Sequence, residues 1–325
     1  MTLKITDING IKVGVAQNFE AMTGCTVILA ENGATCGVDV RGGAPGTRET
    51  DLLDPVNTVD TVHAIVLSGG SAYGLECVHG VMQYLEEHGR GLFTGKTVVP
   101  IIPAAVIFDL NVGDHRVRPD KTMGYEAACN AGTDVPEGNF GAGTGATVGK
   151  LKGYDNCTKG GQGTFATKLP NGLIVGALVV VNAFGDVVDP EDGRIIAGVQ
   201  GSSEGGFVST VKQLKDVLTQ MPGLVENTTL AVIVTNARLN KAQCKKVAQM
   251  AHNGLAHTIK PVHTMWDGDS VFTLATGEIE VDANMVGVLA QEVLAEAVIR
   301  AVKSAESTGC IKCSQEICTI EGASE

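Results

Sequence analysis

The chain has 325 residues, 44% of them hydrophobic, enough for a sizeable core in one large domain or two ordinary ones. Acidic residues outnumber basic ones 36 to 24, a formal net charge of -12, which disfavours nonspecific binding to nucleic acid or anionic lipid and favours small or cationic partners. No uninterrupted apolar stretch of about 18 residues is present to span a membrane, and "MTLKITDINGIKVGVAQ" has no cationic leader followed by an apolar run, so no secretory signal is expected.

In chain order, the β-branched runs "IKVGVAQ", "CTVILAE", "TCGVDVR" and "HAIVLSGG" predict strands. A helix is expected over 71 to 88, with Leu75, Val78, Val81, Met82 and Leu85 on one face. Strands follow at "GLIVGALVVVNAFGDVV" and "TLAVIVTNA". Cys244, Val247, Ala248, Ala251 and Leu255 then repeat with helical spacing, "SVFTLATGEIEV" reads as a strand, and a last helix is expected over about 284 to 306 with Met285, Val288, Leu289, Val293, Ala297 and Val298 inward. Because "GLIVGALVVV" is apolar on both alternating faces, its sheet must be covered on both sides. A layered sandwich of helices and strands follows, and 42 glycines without a repeat period fit one looped domain.

Two glycine motifs imitate catalytic loops and fail on spacing. "LSGGSAYGLE" misses the nucleophile elbow because Ser71 is followed two residues later by Tyr73; Ser71 is better read as an N-cap after a Gly69-Gly70 turn. "GAGTGATVGK" lacks the Ser or Thr that a phosphate loop carries after its lysine, since Lys150 precedes Leu151. Close packing at a site rim is the better inference. His252, His257 and His263 lack a metal-binding spacing and fit a helical surface or a loop. Nine cysteines, an odd number, fit a reducing cytoplasm better than a disulfide framework. Cys310, Cys313 and Cys318 supply three thiols with no paired Cys/His cluster, so reduced surface thiols are expected rather than zinc. Asp267 and Asp269, two apart in "WDGDS", share a face of an extended segment. They could hold a substrate ammonium, orient a nucleophile, bind a cation or simply form a solvated turn.

Taken together, "TGCTVILAENGATCGVDVRGGAPGTRETDLLDP", "VLSGGSAYGLE", "NFGAGTGATVGK", "TKGGQG", "LVVVNAFGDVVDP", "NTTLAVIVTNARL" and "WDGDSVFTLATG" resemble the DmpA-type aminopeptidases, with their β-aminopeptidase and nylon-oligomer hydrolase branches. The motifs run from about Thr23 to Gly277 in the family's order. The resemblance implies a single α/β/β/α domain like that of N-terminal-nucleophile hydrolases, made as a precursor that cuts itself before a Ser or Thr. Thr228 matches that position, giving chains 1–227 and 228–325 separated at Asn227-Thr228. Thr229 is a second hydroxyl, but the family's Asn-Thr junction and its distance to "TNA" match at Thr228. Cutting would free an α-amine with a pKa near 8, able to accept the hydroxyl proton.

The resemblance also implies that Asn182 stabilises the oxyanion, and that Tyr125, in "MGYEA", bonds the oxyanion or shapes the pocket. Lys159, in "TKGGQG", matches the nylon-hydrolase lysine, with Lys150 and Lys152 as competitors. Asp267 and Asp269 match acidic positions that contact the nucleophile or a substrate amine. The expected enzyme is a cytoplasmic amidase or aminopeptidase for small peptides or ω-amino amides, with no cofactor or metal, no nucleic-acid or membrane partner, and a homo-oligomeric assembly of tetramer size or larger. An acyltransferase of the ornithine acetyltransferase type and an unprocessed binding protein are the alternatives.

Overall fold

The computed structural model describes residues 3–201, 206–216 and 227–322. Nine strands form its principal sheet: β1 (Ile11–Asn18), β2 (Thr23–Val40), β3 (Thr47–Arg48), β4 (Thr61–Ser68), β5 (Ala104–Val106), β6 (Gly161–Lys168), β7 (Ile174–Asn182), β8 (Thr228–Ala237) and β9 (Ser270–Ile279). The helices are α1 (Cys77–Glu87), α2 (Lys121–Cys129), α3 (Thr210–Asp216), α4 (Lys241–Thr258), α5 (Ala283–Lys303) and α6 (Ser314–Gly322). The strand order is β6-β7-β8-β9-β2-β4-β5-β3, with β1 also paired to β2.

The two expected strands "CTVILAE" and "TCGVDVR" are one, β2, and it joins two layers. One edge carries β4; the other is taken by β1 along Thr23 to Ala30 and by β9 along Thr35 to Val40. The change falls at a register irregularity between Leu29 and Ala34, where Gly33 has φ +76°, a conformation that a residue with a Cβ adopts only with strain.

Alternation along the strands sorts side chains into three apolar layers. Leu178, Val180, Leu230, Val232 and Phe272 meet Ile28, Ile65 and Leu67 between the two sheet layers. Val175, Val179, Ala231 and Ile233 point the other way, against Val247, Ala251, Leu294 and Val298 of α4 and α5. On the far side Val27, Ala64 and Val66 pack against Val78, Val81 and Ala127 of α1 and α2. The result is α/β/β/α, in which each fully buried Val, Leu or Ile contributes about 1.5–3 kcal/mol.

Helix α4 starts at a capping box: Asn240 accepts from the Gln243 N–H while Gln243 accepts from the Asn240 N–H, both at 2.9 Å. Helix α5 matches its expected span and most of its expected apolar positions: Val293, Ala297 and Val298 are buried and Leu289 packs against the same core, whereas Met285 and Val288 are exposed and Val286, Ala290 and Leu294 are buried in addition. Ser71 is not an N-cap: it opens the short 3-10 turn Ser71–Glu76, its side chain makes no capping bond, and left-handed Gly70 occupies the cap.

Candidate active site

Antiparallel pairing of β7 with β8 sets Thr228 directly opposite Asn182. Both residues end apolar runs whose registers are fixed by the layers on either side. The chain is extended one residue before β8, where the Asn227 N–H donates to the Trp266 carbonyl at 2.8 Å and the Gly268 N–H donates to the Asn227 carbonyl at 2.9 Å. The Thr228 hydroxyl donates to that same carbonyl oxygen. A Cβ on Gly268 would lie 2.7 Å from Thr228 Oγ1 and 2.8 Å from the Ala44 carbonyl, so only glycine brings this N–H so close. The carbonyl preceding Thr228 is therefore polarised by a fixed backbone donor and touched by the hydroxyl that follows it.

Asn182 is fully buried. Its Oδ1 accepts from the Thr147 N–H at 3.0 Å and from Lys150 Nζ at 2.8 Å, while its Nδ2 donates to the Phe108 carbonyl at 3.1 Å. Two donor-only partners on one atom fix which way the amide points, and a second N–H remains on Nδ2. Lys150 Nζ also donates to the Asn182 carbonyl at 2.9 Å. Burial pushes the Lys150 ammonium down to about 7, although the negative charges of Asp267, Asp109 and Asp269 act in the opposite direction.

Lys159 is equally buried, and burial likewise pushes it down to about 7. Its three N–H groups, however, go to the carbonyls of Gly143, Ala146 and Gly160 at 2.8–3.0 Å. It ties together the glycine-rich loop, while Lys150 is the lysine held on Asn182. Lys152 is exposed.

Asp267 and Asp269 are 2% and 1% exposed, and both are occupied by donors from the chain. Asp267 Oδ2 accepts from the Thr264 N–H at 3.0 Å and from its hydroxyl, and Oδ1 faces the Phe184 N–H at 3.4 Å. Burial, then the charge of Asp269, pushes Asp267 up to about 6. Asp269 Oδ1 accepts from the Thr229 N–H at 2.7 Å, and Oδ2 from the His263 N–H at 3.0 Å. This pair is no solvated turn: Asp269 fastens the loop before β9 to the start of β8, and Asp267 holds that loop together and faces the chain after β7.

Tyr125 is not brought into this cluster. It lies on α2 in the outer helical layer, where its hydroxyl donates to Glu87 at 2.7 Å. Glu87 ends α1, whereas Ser71, which helps line the cleft at Thr228, begins the helical run that leads into α1. Of the histidines, His257 is exposed on α4 and His263 lies in a loop, as expected, where its ring adjoins Asp269, but His252 is fully buried.

A cleft of about 280 Å³ opens beside Thr228, walled by Pro45, Gly46, Ser71, Phe108 and Asn227 among others. Ser71 has φ +53°, an uncommon conformation for a residue with a side chain. Among the described residues, no group of three or more His, Cys, Asp or Glu is arranged to hold a metal ion. Cys313 is buried rather than on the surface, while Cys310 and Cys318 are exposed. Sequence reasoning missed the part that Gly268 and His263 play. The distances around "WDGDS" become visible only once the loop is folded against β8.

The model of peptidase family S58 matches residues 4–315. An uncharacterized aminopeptidase of Mycobacterium bovis is 44% identical, covering 93% of this chain and 94% of its own. A 6-aminohexanoate-oligomer endohydrolase of Paenarthrobacter ureafaciens is 34% identical over 91% of this chain and 85% of its own. The L-aminopeptidase D-Ala-esterase/amidase of Ochrobactrum anthropi, described as a variant of the Ntn hydrolase fold, superposes with a TM-score of 0.73 over 100% of this chain and 96% of its own at 18% identity, a likeness of fold. The family match runs over nearly the whole length, and relatives at 44% and 34% identity align along more than nine-tenths of it: this chain belongs to peptidase family S58.

Proposed function

We propose that the chain is a self-processing amidase or aminopeptidase with Thr228 as its nucleophile. The observation that carries this reading is the convergence on one residue: Gly268 N–H on the carbonyl before Thr228, and Asn182 with Lys150 opposite it. In maturation the Thr228 oxygen attacks the Asn227 carbonyl carbon. Gly268 N–H stabilises the developing oxyanion, the C–N bond breaks, and the hydroxyl proton ends on the Thr228 nitrogen. Water then hydrolyses the Asn227 ester, releasing a carboxylate on residues 1–227 and a free α-amine on Thr228.

The same hydroxyl next attacks a substrate amide, with the new α-amine taking its proton and passing it to the leaving amine. The second Nδ2–H of Asn182 serves the substrate oxyanion. Lys150, positively charged or poised near neutrality, holds Asn182 in place and favours the neutral α-amine by like-charge repulsion. Lys159 keeps the glycine-rich loop closed and acts on the reaction only through the fold. Asp269 positions the nucleophile strand and Asp267 the loop that carries Gly268, rather than binding substrate, because their oxygens are already bonded within the chain.

The relatives named above make short peptides and 6-aminohexanoate oligomers the first substrates to try. Wild-type protein should hydrolyse amides of at least one of these classes, and Thr228→Ala neither. Hydrolysis by the purified alanine variant would show that another residue is the nucleophile. Acyl transfer to added ornithine exceeding hydrolysis would move the reading to an acyltransferase.

A further inference from the structure

Asp269 reaches the nucleophile strand through a histidine that the reaction scheme does not use. His263 places two donors on one oxygen of Asp269: its backbone N–H at 3.0 Å and its ring Nδ1 at 2.8 Å from Oδ2. A carboxylate oxygen only accepts, so Nδ1 carries the proton. With Oδ2 held on both sides, Oδ1 faces the Thr229 N–H at 2.7 Å, one peptide from Thr228. His263 adopts φ +58°, a left-handed conformation in which Asn, Asp and His are the enriched residues with side chains.

Behind it stands a second support. The His263 ring packs edge-on against His252, with centroids 4.7 Å apart. His252 in turn lies with Nε2 3.0 Å from the Asp39 carbonyl near the end of β2. Arg41 braces that strand end, its side chain on Asp39 at 2.7 Å and its N–H on the Asp269 carbonyl at 2.9 Å. Helix α4 is thus linked to the first residues of β8 through the His252 and His263 rings and Asp269, beside the direct bond from Arg41 to the Asp269 carbonyl.

We infer that His263 is a positioning residue for the nucleophile, acting by pinning Asp269 so that its free oxygen holds the Thr229 N–H and sets the placement of Thr228. This rests on Thr228 being the nucleophile. It does not require His263 to touch substrate or move a proton.

The test is the isosteric pair His263→Asn and His263→Asp. Both residues tolerate the left-handed backbone, but Asn offers Asp269 an N–H donor and Asp presents a second carboxylate. In the wild-type background, His263→Asn should cut itself and turn over amides within about three-fold of wild type, whereas His263→Asp should lose roughly 100-fold in both rates, with KM little changed. A purely structural role would instead lower the folded fraction of both variants without separating their kcat values. The same pair in the Thr228→Ala chain, which cannot cut, isolates the geometry. There, exchange of the Thr229 amide hydrogen should be about ten-fold faster or more in the His263→Asp protein than in the His263→Asn protein. Equal exchange in the two overturns the inference whether or not the wild-type chain cuts itself. Failure of the wild-type chain to cut, with the exchange difference intact, counts against the nucleophile assignment and leaves the His263–Asp269 support standing.

Discussion

Asn182 and Thr228 are direct partners in the β7–β8 ladder, so a buried amide and a strand-start hydroxyl are set opposite each other by the same register that packs the core. A slip of β8 by one residue would turn Thr228 to the wrong face and away from Asn182. The geometry of the site is in this sense a property of the sheet, and the groups around it can be tested one at a time.

The two buried lysines should separate cleanly. Lys159→Met strips three backbone carbonyls of their donor and should cost on the order of 3 kcal/mol or more of stability, while whatever remains folded cuts at nearly the wild-type rate. Lys150→Met leaves Asn182 Oδ1 only the Thr147 N–H and should slow self-cutting and turnover by roughly 100-fold. Thermal melts beside cutting rates measured on folded protein check this. The reverse pattern would return the active-site role to Lys159.

Gly268→Ala should leave an uncut chain. The new Cβ would meet Thr228 Oγ1 at 2.7 Å and the Ala44 carbonyl at 2.8 Å, closer than such contacts occur. Relief must displace either the loop or the hydroxyl, and both break the alignment with the Asn227 carbonyl. Intact mass after expression reads the outcome; a variant cut as fully as wild type would remove Gly268 from the oxyanion role.

Asp267 gives a pH signature in stability. Its folded value is pushed up to about 6, first by burial and then by the charge of Asp269, against about 3.9 for an unfolded aspartate. Between these values the folded chain keeps a proton that the unfolded chain has lost. The linked stabilisation is therefore present below about 4 and lost as pH rises through about 6. Asp267→Asn removes that loss, so its Tm relative to wild type should climb from about pH 4 through about pH 6 and level off above. A difference that stays flat with pH would contradict the assignment.

Asp269→Asn should depress kcat and self-cutting for substrates with free and with acetylated amines alike, because Asp269 is bonded to Thr229 and His263 rather than open to substrate. If the loss fell only on free-amine substrates, Asp269 would be a substrate-ammonium site instead.

The layers were legible in the sequence because β7 and β8 carry apolar residues on both faces, and because α4 repeats its apolar positions with a helical period. Thr228 and Asn182 were legible only through the family resemblance of "NTTLAVIVTNARL" and "LVVVNAFGDVVDP", and that they face each other across two strands emerged only in the fold. Strand β6 was not, since "GQGTFATK" has little apolar alternation. Helix α2 was missed because its buried face is made largely of Gly124, Ala127 and Ala128, too small to raise a hydrophobic signal. The choice between Lys150 and Lys159 depends on a hairpin that pairs Thr147 with Lys159, placing both ammonium groups near the same loop, and no spacing rule separates them. His252 looked like a surface residue because a polar ring on a helix usually is one. Here it faces the end of β2, where a backbone carbonyl accepts its N–H.

If Thr228 becomes an N-terminal nucleophile, the intact mass of purified protein will show the cut before it. Two pieces are expected, residues 1–227 and 228–325, of about 23 and about 10 kDa by proportion of 33.6 kDa, the smaller beginning Thr228-Thr229-Leu230 and carrying a free α-amine, while Thr228→Ala gives one uncut chain. A wild-type preparation that stays whole while hydrolysing amides, or a small piece that begins at Thr229, would contradict that role.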